Sequence, residues 1–272
     1  MTQPRKAIFI TGAASGIGRA LAQKFAAEGW FCGLADVNEQ GLAETADLLP
    51  KGQSLTVRLD VREREQWSAA LSQFLVASGG QLDALANNAG IARGGPFDTV
   101  TAADNDLLID INFRGVVIGC EMAFPLMKER PGSVILNTCS ASGIYGSAGL
   151  SVYSATKFAV RGLTEALDIE FEPFGVRVRS LMPGFIDTPL LGISVGGSNR
   201  TARETVAESG LEFTPVSVVA DRAFAAISGT KVHTLIGKTA ERLWFYTRWF
   251  PHLVRKQMKA SALAAHARLT GS

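Results

Sequence analysis

The chain has little cysteine and little histidine, and neither is clustered. Cys32, Cys120 and Cys139 stand far apart without a CxxC spacing, and His233, His252 and His266 form no ligand set, so neither a disulfide framework nor a metal site is expected. No G-x-S-x-G elbow occurs and no histidine falls at a recognisable triad position, which argues against a hydrolase. A formal net charge of +2 gives no reason to expect a nucleic-acid partner. Nowhere do 18 uninterrupted apolar residues appear, so no transmembrane segment is expected. Residues 1–6 lack the long apolar stretch of a signal peptide, and a reducing cytoplasm is the expected compartment. Linkers rich in Pro, Gly and Ser, internal repeats and low-complexity tracts are also missing, which leaves one large domain as the economical reading.

What is present is a core-forming composition, 272 residues with 47% hydrophobic and 19% charged. Short β-rich apolar runs at 7–11, 30–36, 54–60, 82–87, 133–138 and 176–181 alternate with helical periodicity at 16–28, 39–49, 62–77, 103–128 and 152–172. The fourth helix is expected to be interrupted near Pro125. Alternation of this kind implies parallel strands joined by right-handed crossovers, an α/β doubly wound sheet of Rossmann type with helices on both faces. The expected organisation is one Rossmann-type domain at 1–237, with a loop at about 185–214, and a C-terminal helical extension of the same domain at 238–272. Ligands of such sheets bind beyond the carboxyl ends of the strands.

Directly after the first strand comes Thr11-Gly12-Ala13-Ala14-Ser15-Gly16-Ile17-Gly18, leading into a helix. Glycines let backbone approach a pyrophosphate, and the helix N-terminus supplies free N–H groups and a positive dipole. Asp36 ends the second strand, 24 residues after Gly12, near the offset of an acid that binds the adenosine ribose. Its charge would repel a 2′-phosphate, and neither Val37 nor Asn38 supplies a cation for one, so NAD is favoured over NADP. Arg19 is the counterargument, a base close in sequence but inside the first helix. Tyr153 and Lys157 stand at i,i+4 at the start of a long helix, where a neighbouring ammonium would lower the phenol pKa and make a general acid/base.

Together these residues resemble the short-chain dehydrogenase/reductase family over about residues 5–235. The family's TGxxxGxG loop is matched by Thr11–Gly18, its NNAG by Asn87-Asn88-Ala89-Gly90, and its YxxxK by Tyr153 and Lys157. Its catalytic serine, thirteen residues before the tyrosine, is Ser140; its helix-four asparagine is Asn112; its PG motif is Pro183-Gly184. Cys139 departs from the pattern, standing where the family often has a further serine. The resemblance implies that Ser140 donates a hydrogen bond to the substrate oxygen, Tyr153 exchanges its proton, Lys157 holds the nicotinamide ribose, and Asn112 positions a water in a proton relay. By the same carry-over the cofactor would meet Gly12, Ser15, Gly16, Ile17, Gly18, Asp36, Asp60 and Val61 on the adenosine side. Asn88 and Gly90 would lie near the adenosine ribose, Thr188 at the nicotinamide carboxamide, and Ala89, Pro183, Gly184 and Ile186 along the rest of its path.

The family's substrate pocket falls on Ser140, Ile144, Tyr145, Leu150, Phe185, Leu190 and Leu191, with Ile193 beyond them. Few charges occur there, so the implied partner is a hydrophobic alcohol or ketone, exchanged with the cofactor as hydride by an alcohol dehydrogenase or ketoreductase. Residues 192–199 contain three glycines and read as a mobile lid. The resemblance also implies a homotetramer or homodimer. The aromatic-basic stretch 243–259 has no counterpart in the family motifs. It reads as an extra helix at the substrate mouth or a subunit contact, which the break at Pro251 favours, or as a peripheral membrane contact. Two rival functions keep the same fold: a non-catalytic NAD(P)-binding sensor or scaffold, and an epimerase or dehydratase that recycles its cofactor.

Overall fold

The central apolar runs are strands buried on both faces, as a parallel sheet requires, while the run at 54–60 lies at the sheet edge and is only partly buried. The computed structural model describes residues 5–192, 201–208 and 211–270. Its strands are β1 (Ala7–Thr11), β2 (Phe31–Asp36), β3 (Ser54–Arg58), β4 (Ala84–Asn87), β5 (Val134–Thr138), β6 (Arg177–Pro183) and β7 (His233–Ile236). They pair in parallel in the order β3-β2-β1-β4-β5-β6-β7. Successive side chains point to opposite faces: Phe9 joins one core with Trp67, Phe74, Ile118 and Val178, while Ile8 and Ile10 join the other with Leu21, Phe25 and Val219. β7 is the strand that periodicity did not reveal.

Helices α1 (Gly16–Ala27), α2 (Glu39–Asp47) and α3 (Arg64–Ala77) follow β1, β2 and β3. The expected fourth helix is two, α4 (Ala102–Ile109) and α5 (Gly115–Met127), joined by a π-helical turn at Asp110–Arg114. The interruption therefore lies at Asn112 and not near Pro125, which sits inside α5. Pro125 lacks the N–H that would pair with the carbonyl of Glu121, an exposed residue. After α6 (Ser151–Phe171) and β6 come a short 3-10 turn (Pro189–Gly192), α7 (Ala202–Glu208) and α8 (Val216–Ser228). Of the expected lid at 192–199, all but Gly192, Ile193 included, lies outside the described residues.

Past β7, α9 (Lys238–Trp249) and α10 (Pro251–Thr270) form the extension. Pro251 starts α10, and Phe250 leaves helical geometry between them (φ −136°, ψ 52°). No helix among the described residues is long and apolar enough to cross a membrane. The winding reverses at β1, which lies between β2 and β4, so the crevice beyond the ends of β1 and β4 is the topological switch point.

Candidate active site

The glycine loop leaves β1 at this switch point. Gly12 takes φ +68°, and a Cβ there would meet the Ala89 backbone at 2.8 Å; one on Gly18 would fall 2.0 Å from the Gly12 carbonyl oxygen. Only bare backbone packs that closely. Asn88 ties the loop down: its amide donates to the carbonyls of Thr11 (3.0 Å) and Gly12 (3.3 Å), while Thr138 Oγ1 donates to Asn88 Oδ1 (3.3 Å). The Thr11 hydroxyl accepts from the backbone N–H groups of Asn88 and Ala89, each at 3.0 Å. Asn88, expected beside the adenosine ribose, thus spends its side-chain amide on the loop that would hold the pyrophosphate.

Helix α1 begins at this loop with its N–H groups open. Asn38 and Thr101 cap α2 and α4 with their side chains, but Ser15 makes no such bond and the first turn of α1 holds no acid. An anionic pyrophosphate fits that end by charge and by donor count. Asp36 accepts from Ala14 N–H (3.1 Å) and Asn38 N–H (3.0 Å), which fixes its carboxylate at the mouth of the loop. Arg19 is committed elsewhere: Nε donates to Thr45 (2.9 Å), and Nη2 reaches the Ala14 carbonyl (2.7 Å) and Glu44 (2.9 Å). Asp60 is paired with Arg62, whose guanidinium holds the carboxyl below its usual pKa against the opposing pull of partial burial. Val61 is buried, its carbonyl accepting from the Trp67 indole (3.0 Å).

On the far side, Pro183 ends β6 and Gly184 N–H donates to the Ile236 carbonyl (2.9 Å). Buried Ile186 bridges to Thr214, and buried Thr188 packs against the loop, since a Cβ on Gly16 would meet it at 3.4 Å. The glycine loop and the segment after Pro183-Gly184 therefore face each other, as a cofactor spanning both would need. Arg203 on α7 pairs with Asp187 and reaches the Thr188 carbonyl (3.4 Å), a tie that the sequence did not announce.

Ser140, Tyr153, Lys157 and Asn112 meet between these walls. Ser140 follows β5 and accepts from Ser142 N–H (3.1 Å), which sets its hydroxyl beside the phenol it bonds. Tyr153 and Lys157 lie in the first turns of α6, only 9% and 5% exposed. Lys157 Nζ donates to the Thr138 carbonyl (2.9 Å) and stands 5.6 Å from the Tyr153 ring centroid. A Cβ on Gly90 would lie 3.7 Å from Nζ and 3.2 Å from Asn112 Oδ1, so glycine keeps this junction open. Asn112 clamps Ile91, accepting from its N–H and donating to its carbonyl, both at 2.8 Å.

The lowered phenol pKa expected from Lys157 is not what the site produces. Burial pushes Tyr153 up to about 12, with the Ser140 hydrogen bond pulling the other way, and burial pushes Lys157 below its usual value. The Lys157 amine is drawn to the Thr138 carbonyl and lies over the ring, and burial dominates the titration of the phenol. Tyr153 is therefore a protonated acid at neutral pH.

The residues expected on the substrate side fall in different surroundings. Leu150 packs against the Tyr153 group, whose other apolar neighbours, Ile91, Ala92, Leu108 and Val152, the sequence did not single out. Tyr145, Phe185 and Leu191 are half-buried. Ile144 is packed into the main core, and Leu190 is exposed. Ile91 and Ala92 follow the NNAG segment directly, and that adjacency was the available signal.

A parallel sheet with a glycine loop at its switch point, and a buried acid-base group one strand away, defines a Rossmann-fold oxidoreductase. The family described as short chain dehydrogenase matches residues 6–194, and the chain belongs to that family. It is 36% identical over 191 residues to levodione reductase of Leifsonia aquatica, covering 68% of this chain and 71% of the relative. It is 36% identical over 186 residues to 3-alpha-(or 20-beta)-hydroxysteroid dehydrogenase of Mycobacterium tuberculosis, covering 68% and 70%. A solved short chain dehydrogenase/reductase from Burkholderia phymatum in complex with NAD superposes with TM-score 0.79 at 29% identity, covering 94% of this chain and 97% of that one.

Proposed function

We propose that this enzyme transfers hydride between NAD and a bulky, hydrophobic secondary alcohol or ketone. The observation that carries the reading is the buried junction of Ser140, Tyr153 and Lys157 beside Gly90, where the cofactor cradle ends. NAD is favoured because Asp36 is fixed at the loop mouth while Arg19 is tied to Glu44 and Thr45. The solved relative that carries NAD supports the same choice.

A bound nicotinamide supplies or accepts the hydride. Around it, Gly12, Gly16, Gly18 and the open end of α1 would hold pyrophosphate, Asp36 the adenosine ribose, Lys157 the nicotinamide ribose and Thr188 the carboxamide. Ser140 donates to the substrate oxygen as negative charge develops there. Tyr153, protonated at neutral pH, gives that oxygen its proton during reduction. Lys157 keeps a positive field on the phenol, and Asn112 fixes Ile91 at the pocket edge. The apolar wall of Ile91, Ala92, Leu108, Leu150 and Val152 suits a ring or branched skeleton, and one relative is named for a hydroxysteroid. Exposed Phe158 and Ile169 on α6 suit assembly into a dimer or tetramer, and the three free, buried cysteines suit a reducing compartment such as the cytoplasm.

The test is nicotinamide absorbance across a panel of hydrophobic secondary alcohols and ketones with NAD and NADP, with Tyr153→Phe as control. Turnover with NAD that falls by roughly 100- to 10,000-fold in the variant is expected. Tight NAD binding without turnover of any panel member would point to a sensor, and product formation without net NADH change to an epimerase or dehydratase.

A further inference from the structure

Charge is unevenly placed along this chain. Residues 238–272 hold seven of its 27 Lys and Arg but only one of its 25 Asp and Glu, so the tail is strongly basic and the remainder is net acidic. The one acid is Glu241, and Glu212 from outside the tail pairs with Lys238 (3.1 Å). Arg242, Arg248, Arg255, Lys256 and Lys259 are exposed and make no ion pair among the described residues.

The two helices sort their aromatic residues by face. On α9, Ala240, Leu243, Trp244 and Thr247 turn toward the body at helical spacing. Trp244 lies under the Arg161 guanidinium (4.6 Å) and beside His233 (5.5 Å). The opposite face carries Phe245, Tyr246 and Trp249, continued by Phe250 and Leu253, each between 40% and 62% exposed. Phe245, Tyr246 and Phe250 contact one another, with centroids 5.6 to 6.2 Å apart, so the patch is contiguous. Residues 251–264 of α10 bury only Val254, with Met258 and Ala262 half-buried one and two turns on. Over residues 251–264 the body holds α10 by one narrow stripe. Such aromatic exposure, rimmed by one sign of charge, marks an interaction surface.

We propose that this aromatic face of α9 and the start of α10 docks on an anionic lipid bilayer, lying in the interface rather than crossing it. Aromatic side chains favour the level between headgroups and acyl chains, and Lys and Arg beside them meet anionic headgroups. A second copy of the chain fits less well, because a symmetric contact through this face would bring the basic residues of both copies together. The membrane supplies the missing negative charge as well as the apolar phase.

The experiment is sedimentation of the full chain with vesicles of phosphatidylcholine alone and with about a third phosphatidylserine. Binding to the mixed vesicles, weakened by high salt as screening shortens, is the expected result. Lys256→Gln with Lys259→Gln should reduce it roughly 25-fold, about fivefold per charge. Phe245→Ser with Trp249→Ser should reduce it at least as far. Unchanged circular dichroism identifies folded variants, and the charge pair, being exposed, still decides the matter if the aromatic pair misfolds. Equal sedimentation with and without vesicles overturns the proposal, as does wild-type binding by both variant pairs. It is equally overturned if wild type ignores vesicles and Phe245→Ser with Trp249→Ser breaks an oligomer into smaller species, since the face is then a subunit contact.

Discussion

On the proposed reading, Asp36 is the single carboxylate that separates two cofactors. Its oxygens are oriented by Ala14 and Asn38, yet each retains a lone pair for a ribose hydroxyl. Hydrogen bonds to a charged group are worth about 1.5–3 kcal/mol. Asp36→Ala should therefore lower kcat/KM with NAD by roughly 10- to 150-fold and improve use of NADP, whose phosphate is no longer repelled. Steady-state rates with both cofactors measure this, and an unchanged ratio removes Asp36 from the specificity argument. Tyr153 gives a second prediction at this scale. With its pKa raised to about 12 by burial, the phenol stays protonated through the neutral range. Ketone reduction, which needs the acid, should show no loss from this group between about pH 6 and 9, while alcohol oxidation, which needs the base, should rise with pH. Oxidation flat across that range would mean that the working phenol is already ionised. The YxxxK spacing made the pair legible in sequence, but the direction of its titration was not, because burial enters only with the fold.

At the scale of elements, six of the seven strands and most helices could be read because their periods are written in apolar residues. The π turn could not. An extra residue inside a helix leaves no period of its own, and Pro125 was the louder but irrelevant signal. What holds the turn in register is the two-bond clamp of Asn112 on Ile91. Asn112→Ala leaves that backbone pair unsatisfied at a cost of about 2–4 kcal/mol, lowering Tm by about 4–7 °C in a chain of 272 residues. A thermal melt with unchanged Tm would mean that α4 and α5 hold the turn without it.

Strand β7 was illegible because it is short and three of its four residues are only half-buried. Side chains anchor it instead. His233 bridges Ser180 Oγ (2.8 Å) and Glu165 (2.9 Å); a carboxylate can only accept, so Nε2 donates to Glu165 and the neutral Nδ1 accepts from Ser180. Burial lowers the His233 pKa despite the opposing pull of Glu165. The unfolded chain therefore binds a proton below about pH 6.5 that the folded ring resists. Stability from this group is complete above that pH and is lost as pH falls toward the folded value. Glu165, where burial is outweighed by hydrogen bonds from Arg161 and His233, is held below its usual pKa and loses its contribution only at lower pH. Tm should thus decline between about pH 7 and 5.5 in wild type and less in His233→Gln. Parallel curves would assign the decline to other groups.

Across the whole molecule, the cradle and the acid-base group belong to one sheet but depend on different parts of it. The proposed cradle is backbone beyond β1 and β4, tied by Asn88; the proposed chemistry would stand on α6 and the end of β5. Binding and turnover should then be separable. A ligand that binds only the folded chain, at about 100 times its Kd, stabilises it by about 2.7 kcal/mol, equivalent for 272 residues to about 5 °C in Tm. NAD should produce that rise in wild type and in Tyr153→Phe alike, because removing the hydroxyl leaves Gly12, Gly18 and Asp36 in place. NADP at the same concentration should produce less, and Asp36→Ala should narrow the gap. A Tyr153→Phe chain that loses both the thermal shift and turnover would show that the tyrosine supports the cradle itself, and its loss of activity could no longer be read as loss of a proton donor. A variant that keeps the shift and loses only turnover places the proton step on that hydroxyl, apart from the sheet that holds the cofactor.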